Sequence, residues 1–251
     1  MSALITALIG LAVILGGAFV GIGLRKALAE HYLADDTKDL VRLGTGLIGT
    51  MAALVLGLLI AAANSSFGTQ ANNVQHLAAD IIMLDQLLAQ YGPDAKPVRE
   101  GLRQTVAPLV ERIWRENRSD RSRQASFQAT EPGQDTAALI IHLAPQNEAQ
   151  RLIKDRAVQV TSDLAQTRFL LFAQSGGAIP LPFLIVLVFW LAIIFMSFGM
   201  FLRVNLVAGA ALIVFAISAA GALYLVLELS DPFGGLMQIS NAPLRNALAP
   251  L

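Results

Sequence analysis

Residues 181–226 read LPFLIVLVFWLAIIFMSFGMFLRVNLVAGAALIVFAISAAGALYLV, an apolar tract interrupted only at Arg203 and Asn205. A helix rises 1.5 Å per residue, and about 20 residues cross the hydrocarbon of a bilayer. The tract is therefore two crossings joined by a tight hairpin at Arg203–Asn205, where Arg203 snorkels to an interface. Upstream, Ala3–Leu24 and Leu43–Ala63 are equally long and free of charge. The first lacks a basic leading region and a cleavage site before Arg25, so it reads as a membrane helix and not as a leader.

These four blocks predict an all-α membrane protein, with four transmembrane helices and a helical insert between the second and third. Residues 1–67 carry the first two spans with a charged connection at 25–42. The insert is 68–180, the last two spans are 181–228, and 229–251 is a turn and a short apolar tail. Composition agrees: 55% of the 251 residues are hydrophobic and 14% charged, against about 25% charged in soluble domains. A net charge of zero gives no field to attract nucleic acid.

Within the insert, Val74, Leu77, Ile81, Leu84, Leu88 and Tyr91 form a heptad seam. Nothing forces a break between the second span and this seam, so the spacing predicts one long rod ended by YGPDAKP. Its expected packing partner is a helix over 147–172, with Leu152, Ile153, Val160, Leu164 and Leu171 as apolar positions. A helix over 98–116 carries Val98, Leu102, Val106, Leu109 and Ile113, with Pro108 inside it. A polar linker follows, and Asp135 is placed to N-cap a short helix through His142.

The second span has a distinctive face. At about 100° per residue, Gly46, Gly49, Thr50, Ala53, Gly57, Ala61 and Asn64 share an arc of about 120°, with Ile60 as the bulky member. Ile48, Met51, Val55, Leu58 and Leu59 lie opposite. Small residues at such spacing let membrane helices approach closely. They also leave room for ions, and Ile60 would then be a hydrophobic constriction. Both readings stand on the sequence.

The last span ends in LELSDPFGGLMQIS, residues 227–240. Glu228 and Asp231 lie at the negative end of a helix macrodipole, where anions are disfavoured unless hydrated or paired. Pro232 and the glycines stop the helix, and Phe233 is placed to fold back onto the bundle. The stretch reads either as an interfacial stop, with Asp231 left in water, or as a control site in which Glu228 pairs with a base such as Arg25. No cysteine is present, and His31, His76 and His142 are scattered. No nucleophile–base motif, phosphate-cradling loop or metal-ligand spacing appears. Catalytic residues, metal and cofactor are therefore expected to be none, and an enzyme is not expected.

Three stretches carry a resemblance. DDTKDLVRLGTGLIGTMAALVLGLLIAAANSSF, LAADIIMLDQLLAQYGPDA and LELSDPFGGLMQIS are similar to the bestrophin-like family, itself distantly similar to bestrophin anion channels. The resemblance implies a homo-oligomer, a pentamer in bestrophins, whose second helix lines a pore for a small anion. Bestrophin's aromatic constrictions have no counterpart here. Its calcium-binding acidic run after the last span is reduced to Glu228 and Asp231. The expected setting is a multi-pass protein of a bacterial inner membrane, in contact with lipid. Sidedness is read two ways. Arg25, Lys26, Lys38 and Arg42 place the 25–42 connection in the cytoplasm by the positive-inside rule. The resemblance places the insert there instead, and long inserts count little in that rule. The competing functional reading is a non-conducting scaffold or sensor acting through the insert.

Overall fold

The structure, a computed structural model, describes residues 3–28, 35–119, 133–173, 179–201 and 206–248. Among the described residues every regular element is helical, as the sequence predicts. The expected Arg203–Asn205 hairpin, most of the polar linker and His31 lie outside the described residues. Helices α1 (Ala3–Ala27), α6 (Leu181–Phe201), α7 (Leu206–Leu229) and the first part of α2 (Asp35–Tyr91) form one compact unit. All four are long and apolar enough to cross a membrane. Only 17–22% of each apolar window is buried within the chain, so most of their surface is left to lipid or to other copies.

The tightest packing in this unit joins α1 to α6. A Cβ on Gly17 would stand 2.5 Å from the Ala192 carbonyl oxygen, and one on Gly21 would collide with the Met196 carbonyl. From the other side, Gly199 leaves no room for a Cβ against the Ala18 carbonyl. Backbones meet directly here, as small-xxx-small spacing permits in a membrane. The matched levels rise together along α1 and α6, so these two helices are parallel. Gly10 meets Leu223 of α7, and Ile14, Leu187, Phe195 and Val226 fill the core between them. Helix α2 is tied to α6 by hydroxyls. Thr45 donates to the Val41 carbonyl at 2.7 Å and shares a 3.0 Å hydrogen bond with Ser197, which is buried.

The second unit comprises Gly68–Gly176 and Pro232–Leu251. Its core is the continuation of α2. Val74, Leu77, Ile81, Leu84, Leu88 and Tyr91 are at most 2% exposed, and each such burial contributes roughly 1.5–3 kcal/mol before entropy is counted. A 3-10 turn, Pro93–Ala95, reverses the chain at Gly92, whose φ of 115° suits glycine. Helix α3 (Lys96–Ser119) then lays Val98, Leu102, Val106 and Val110 inward, while the side chains of Leu109 and Ile113 lie outside the described set. A bidentate ion pair, Arg99 to Asp85 at 2.6 and 2.9 Å, fixes the antiparallel register of α3 on α2.

Helix α5 (Glu148–Ala173) approaches α2 from another side. Gln150 donates to the Tyr91 carbonyl at 3.0 Å, and Asp80 feels the charges of Arg156 and Asp163. Those levels make α5 antiparallel to α2, the partner expected for the seam. One assignment on α5 is corrected: Leu152 is 62% exposed. The inward stripe runs through Ile153, Ala157, Val160, Leu164 and Leu171. Leu152 stands about 100° off it, and Ala157 takes an inward place that apolar bulk does not reveal. Helix α4 (Gly133–His142) begins two residues before Asp135, so that residue lies in the first turn and is not the cap. Lys154 closes the other end of α4, donating to the carbonyls of Ile141 and Leu143 at 2.7 and 2.8 Å, where a cation is favoured. The short apolar tail contains helix α8 (Ala242–Leu248), packed on α3 with Leu244 and Ala247 fully buried.

Two outcomes follow from this packing. Gly21→Val should unfold the detergent-solubilised protein at a markedly lower temperature, because overpacking costs about 1–3 kcal/mol and here the obstacle is backbone. Gly23→Val, which meets nothing within 4 Å, should leave melting nearly unchanged. The second concerns Asp80, whose carboxyl is raised above 3.8 by burial and then by Asp163, against the opposing pull of His76 and Arg156. The folded protein thus holds this proton more tightly than the unfolded chain, and ionised Asp80 lowers stability at neutral pH. Asp80→Asn should raise the melting temperature at pH 7. The gain should shrink as pH falls through the raised value and be absent below 3.8.

Candidate functional site

Helix α2 presents three sectors in its membrane segment. Ala52, Leu59 and Ala63 are buried against the rest of the unit, with Ile48, Val55 and Leu56 half-buried beside them. Gly46, Thr50, Ala53, Gly57, Ala61 and Asn64 are exposed, Gly49 is half-buried, and Ile60 is 38% exposed. The third sector is bulky and also exposed: Leu47 62%, Leu54 75% and Leu58 67%. The face that the sequence sets opposite the small residues is therefore split. Ile48, Val55 and Leu59 turn inward, while Met51 and Leu58 point away from the protomer.

A Cβ at Gly46, Gly49 or Gly57 would meet nothing within 4 Å. The close-packing glycines of the chain are those of α1 and α6, and the sequence reading passed over them although Gly17-x-x-x-Gly21 was in view. Among the described residues, nothing packs closely on Gly46, Gly49 or Gly57. No acidic or basic side chain occurs between Arg42 and His76. Thr50 donates its hydroxyl proton to the Leu47 carbonyl at 2.8 Å, so what it offers outward is an acceptor oxygen. Beside this face, Gly49, Ala53, Leu187, Leu191, Ala219 and Leu223 help to line an apolar groove of about 210 Å³.

At the end of α7, Glu228 is 3% exposed and hydrogen-bonds Tyr224 one turn earlier. Arg25 is excluded as its partner. Gly10 of α1 is level with Leu223 of the antiparallel α7, so Arg25 and Glu228 are separated by about twenty residues of helix, about 30 Å. Asp231, expected in water, is half-buried. Its N–H bonds the Glu228 carbonyl at 3.1 Å, closing the turn that stops the helix. Phe233 packs within the insert. It is buried edge-on against Trp114 of α3, with centroids 5.5 Å apart and planes at 82°. Trp114 also donates through Nε1 to the Ile239 carbonyl at 2.9 Å. Trp114 was missed by pattern reading, although a lone tryptophan in a polar insert is a signal.

Residues 12–244 match the bestrophin-like domain family. The chain belongs to that family. The match begins within α1 and takes in the other spans, the insert and the turn after the last span. No curated protein matches the sequence. Among solved structures, a bacterial bestrophin homolog from Klebsiella pneumoniae, carrying a tryptophan-to-alanine substitution, is similar with a TM-score of 0.69 at 14% identity. The similarity covers 99% of this chain and 96% of that one, and at that identity it shows a shared fold. This bestrophin-like chain is an all-helical membrane protein.

The Tyr224–Glu228 pair makes a test of the acid's setting. Tyr224→Phe should destabilise by roughly 1.5–3 kcal/mol, the range for a hydrogen bond to a charged group. In a Glu228→Gln background the same change should cost about half of that or less, since the charge is gone. Thermal melts of the four proteins of this cycle measure the coupling. Equal costs in both backgrounds would show that the carboxylate does not use Tyr224.

Proposed function

We propose that this protein is a homo-oligomeric, bestrophin-type ion channel of a bacterial inner membrane, with α2 around the pore axis and the insert in the cytoplasm. The observation that carries the reading is the outward face of α2. It lies in a membrane span, it is uncovered among the described residues, and it is free of charge. Small and bulky sectors sit side by side on that face, so in a ring the Leu47–Leu54–Leu58 ridge of one copy fits the Gly46–Ala53–Gly57 groove of the next. Contacts of this head-to-tail kind close into rings. Thr50, Gly57 and Ala61 then line the axis, Ile60 narrows it, and Asn64 stands at its end. Family resemblance supports a pentamer and a small anion. Asn64 supplies the N–H donors an anion needs, while the acceptor oxygen of Thr50 suits a cation, so the sign of the permeant ion is the point to measure.

Purified protein in liposomes under a potassium chloride gradient tests this reading. A conductance whose reversal potential follows chloride supports the anion channel. One that follows potassium assigns cations, and no conductance from an intact oligomer returns the scaffold reading. Gly57→Leu should reduce oligomer size or flux at least tenfold more than Leu58→Ala. A Leu on the small sector holds neighbouring helices apart or fills the lumen, whereas trimming Leu58 removes only part of one ridge. Size-exclusion profiles and flux of the two variants give the comparison, and similar behaviour would mean the ring is not built on this face.

A further inference from the structure

The uncovered face of α2 does not begin at Gly46. Five turns of 3.6 residues separate Arg42 from Ile60 and Asp39 from Gly57, so each charged residue stands on the line of its counterpart in the span, about 27 Å along the axis. At about 100° per residue, Arg42 and Asp39 both fall inside the arc of about 120° that holds Gly46, Ala53 and Gly57. Asp36 and Lys38 fall outside it, about 80° to either side of Gly46. The covered face turns away from the pair: Thr45, which is bonded to Ser197 of α6, stands about 100° from Gly46. The Arg42 and Asp39 side chains are 83% and 72% exposed, and Arg42 Nη1 comes 3.7 Å from Asp39 Oδ1. That is longer than a hydrogen bond, and an exposed pair of this kind holds little, so Asp39 does not tie the guanidinium down. Beyond Arg42 the helix carries no acidic or basic side chain until His76.

An arginine at the edge of a span ordinarily marks the membrane interface by snorkelling. Arg42 has that place, yet it projects on the face of α2 that no described helix of its own chain covers. We propose that Arg42 and Asp39 are the charge-selecting residues at the mouth of the pore, Arg42 raising the share of anions that enter and Asp39 lowering it. The inference rests on the proposed ring of α2 helices and deepens that reading. In such a ring the copies of Arg42 and Asp39 form two stacked rings of opposite charge. Arg42 is the inner of the two, about 4.5 Å of helix nearer the uncharged span, and is the last fixed charge an ion meets before entering it. Rings of basic side chains favour anions in pores, as acidic rings favour cations. A narrow entrance with low-dielectric walls concentrates their field. Within the span Thr50 offers an acceptor and Asn64 a donor, and no fixed charge competes with the pair at the mouth. The ligand gathered at the guanidinium is a small anion, recognised by its charge.

Full-length protein in liposomes under a potassium chloride gradient gives the chloride-to-potassium permeability ratio from the reversal potential. Arg42→Gln leaves Asp39 alone at the mouth, and the ratio should fall about threefold or more. Asp39→Asn leaves Arg42 alone, and the ratio should rise about threefold or more. Both shifts should shrink between about 0.1 M and about 1 M salt, as the screening length drops from about 10 Å to about 3 Å. Arg42→Lys keeps the charge and should stay near wild type. Lys26→Gln removes the same charge from the exposed end of α1 and should change the ratio by less than about 1.5-fold, because the field of one side chain is screened over that length. A Lys26→Gln shift equal to that of Arg42→Gln would overturn the proposal by making the selection a diffuse surface effect. An Arg42→Gln protein that conducts with an unchanged ratio would overturn it as well, and leaves the channel reading standing. A wild-type oligomer that does not conduct overturns both. Where Arg42→Gln elutes at a changed oligomer size, Asp39→Asn decides: a ratio that does not rise overturns the proposal.

Discussion

Helix α2 runs from Asp35 to Tyr91 without a break, and both halves of the molecule are built on it. Inside a bilayer each backbone N–H and C=O must be satisfied within the helix. Extending that ladder past the membrane needs no new nucleus, because adding a residue to an existing helix costs far less than starting one. The chain uses this by placing a heptad seam directly after the span. Gly68 lies in the interior of the helix, where glycine is unfavourable by roughly 0.5–1 kcal/mol. The seam at Val74–Tyr91 and the ion pair at Asp85 hold the extension regardless. One helix therefore supplies packing to the membrane unit, the core of the insert, and a face used by neither.

Glycine does two different jobs in the membrane unit. On α1 and α6 it removes side chains so that backbones touch, at Gly17, Gly21 and Gly199. On α2 it removes side chains where nothing in the chain follows, at Gly46 and Gly57. The first use is packing. The second leaves the α2 backbone open, where glycine lowers helix stability. The same spacing of small residues thus serves close contact on α1 and α6 and leaves open backbone on α2.

The acids at the end of the last span also resolve into separate settings. Glu228 is buried and held by Tyr224 on its own helix, while Asp231 belongs to the turn. Beyond Asp231 the chain leaves the membrane unit, and its next anchor is an aromatic contact and an indole hydrogen bond within the insert. The proline stops α7, and the phenylalanine after it belongs to the core of the insert.

The sequence by itself determined the four spans, the unbroken second helix, the seam and the family, because each is a local or periodic property of side chains. Hydrophobic length defines a crossing, a repeat of seven defines a seam, and a short motif defines the family turn. Three decisions waited for tertiary structure. Whether a glycine packs or stands open depends on what another helix places opposite it, and no periodicity reports that. Which residues of α5 face inward turned on Ala157, whose smallness matters only once α2 lies against it. For Glu228, the antiparallel run of α7 on α1 carries Arg25 to the far end of the bundle, while Tyr224, four residues away on the same helix, hydrogen-bonds the acid.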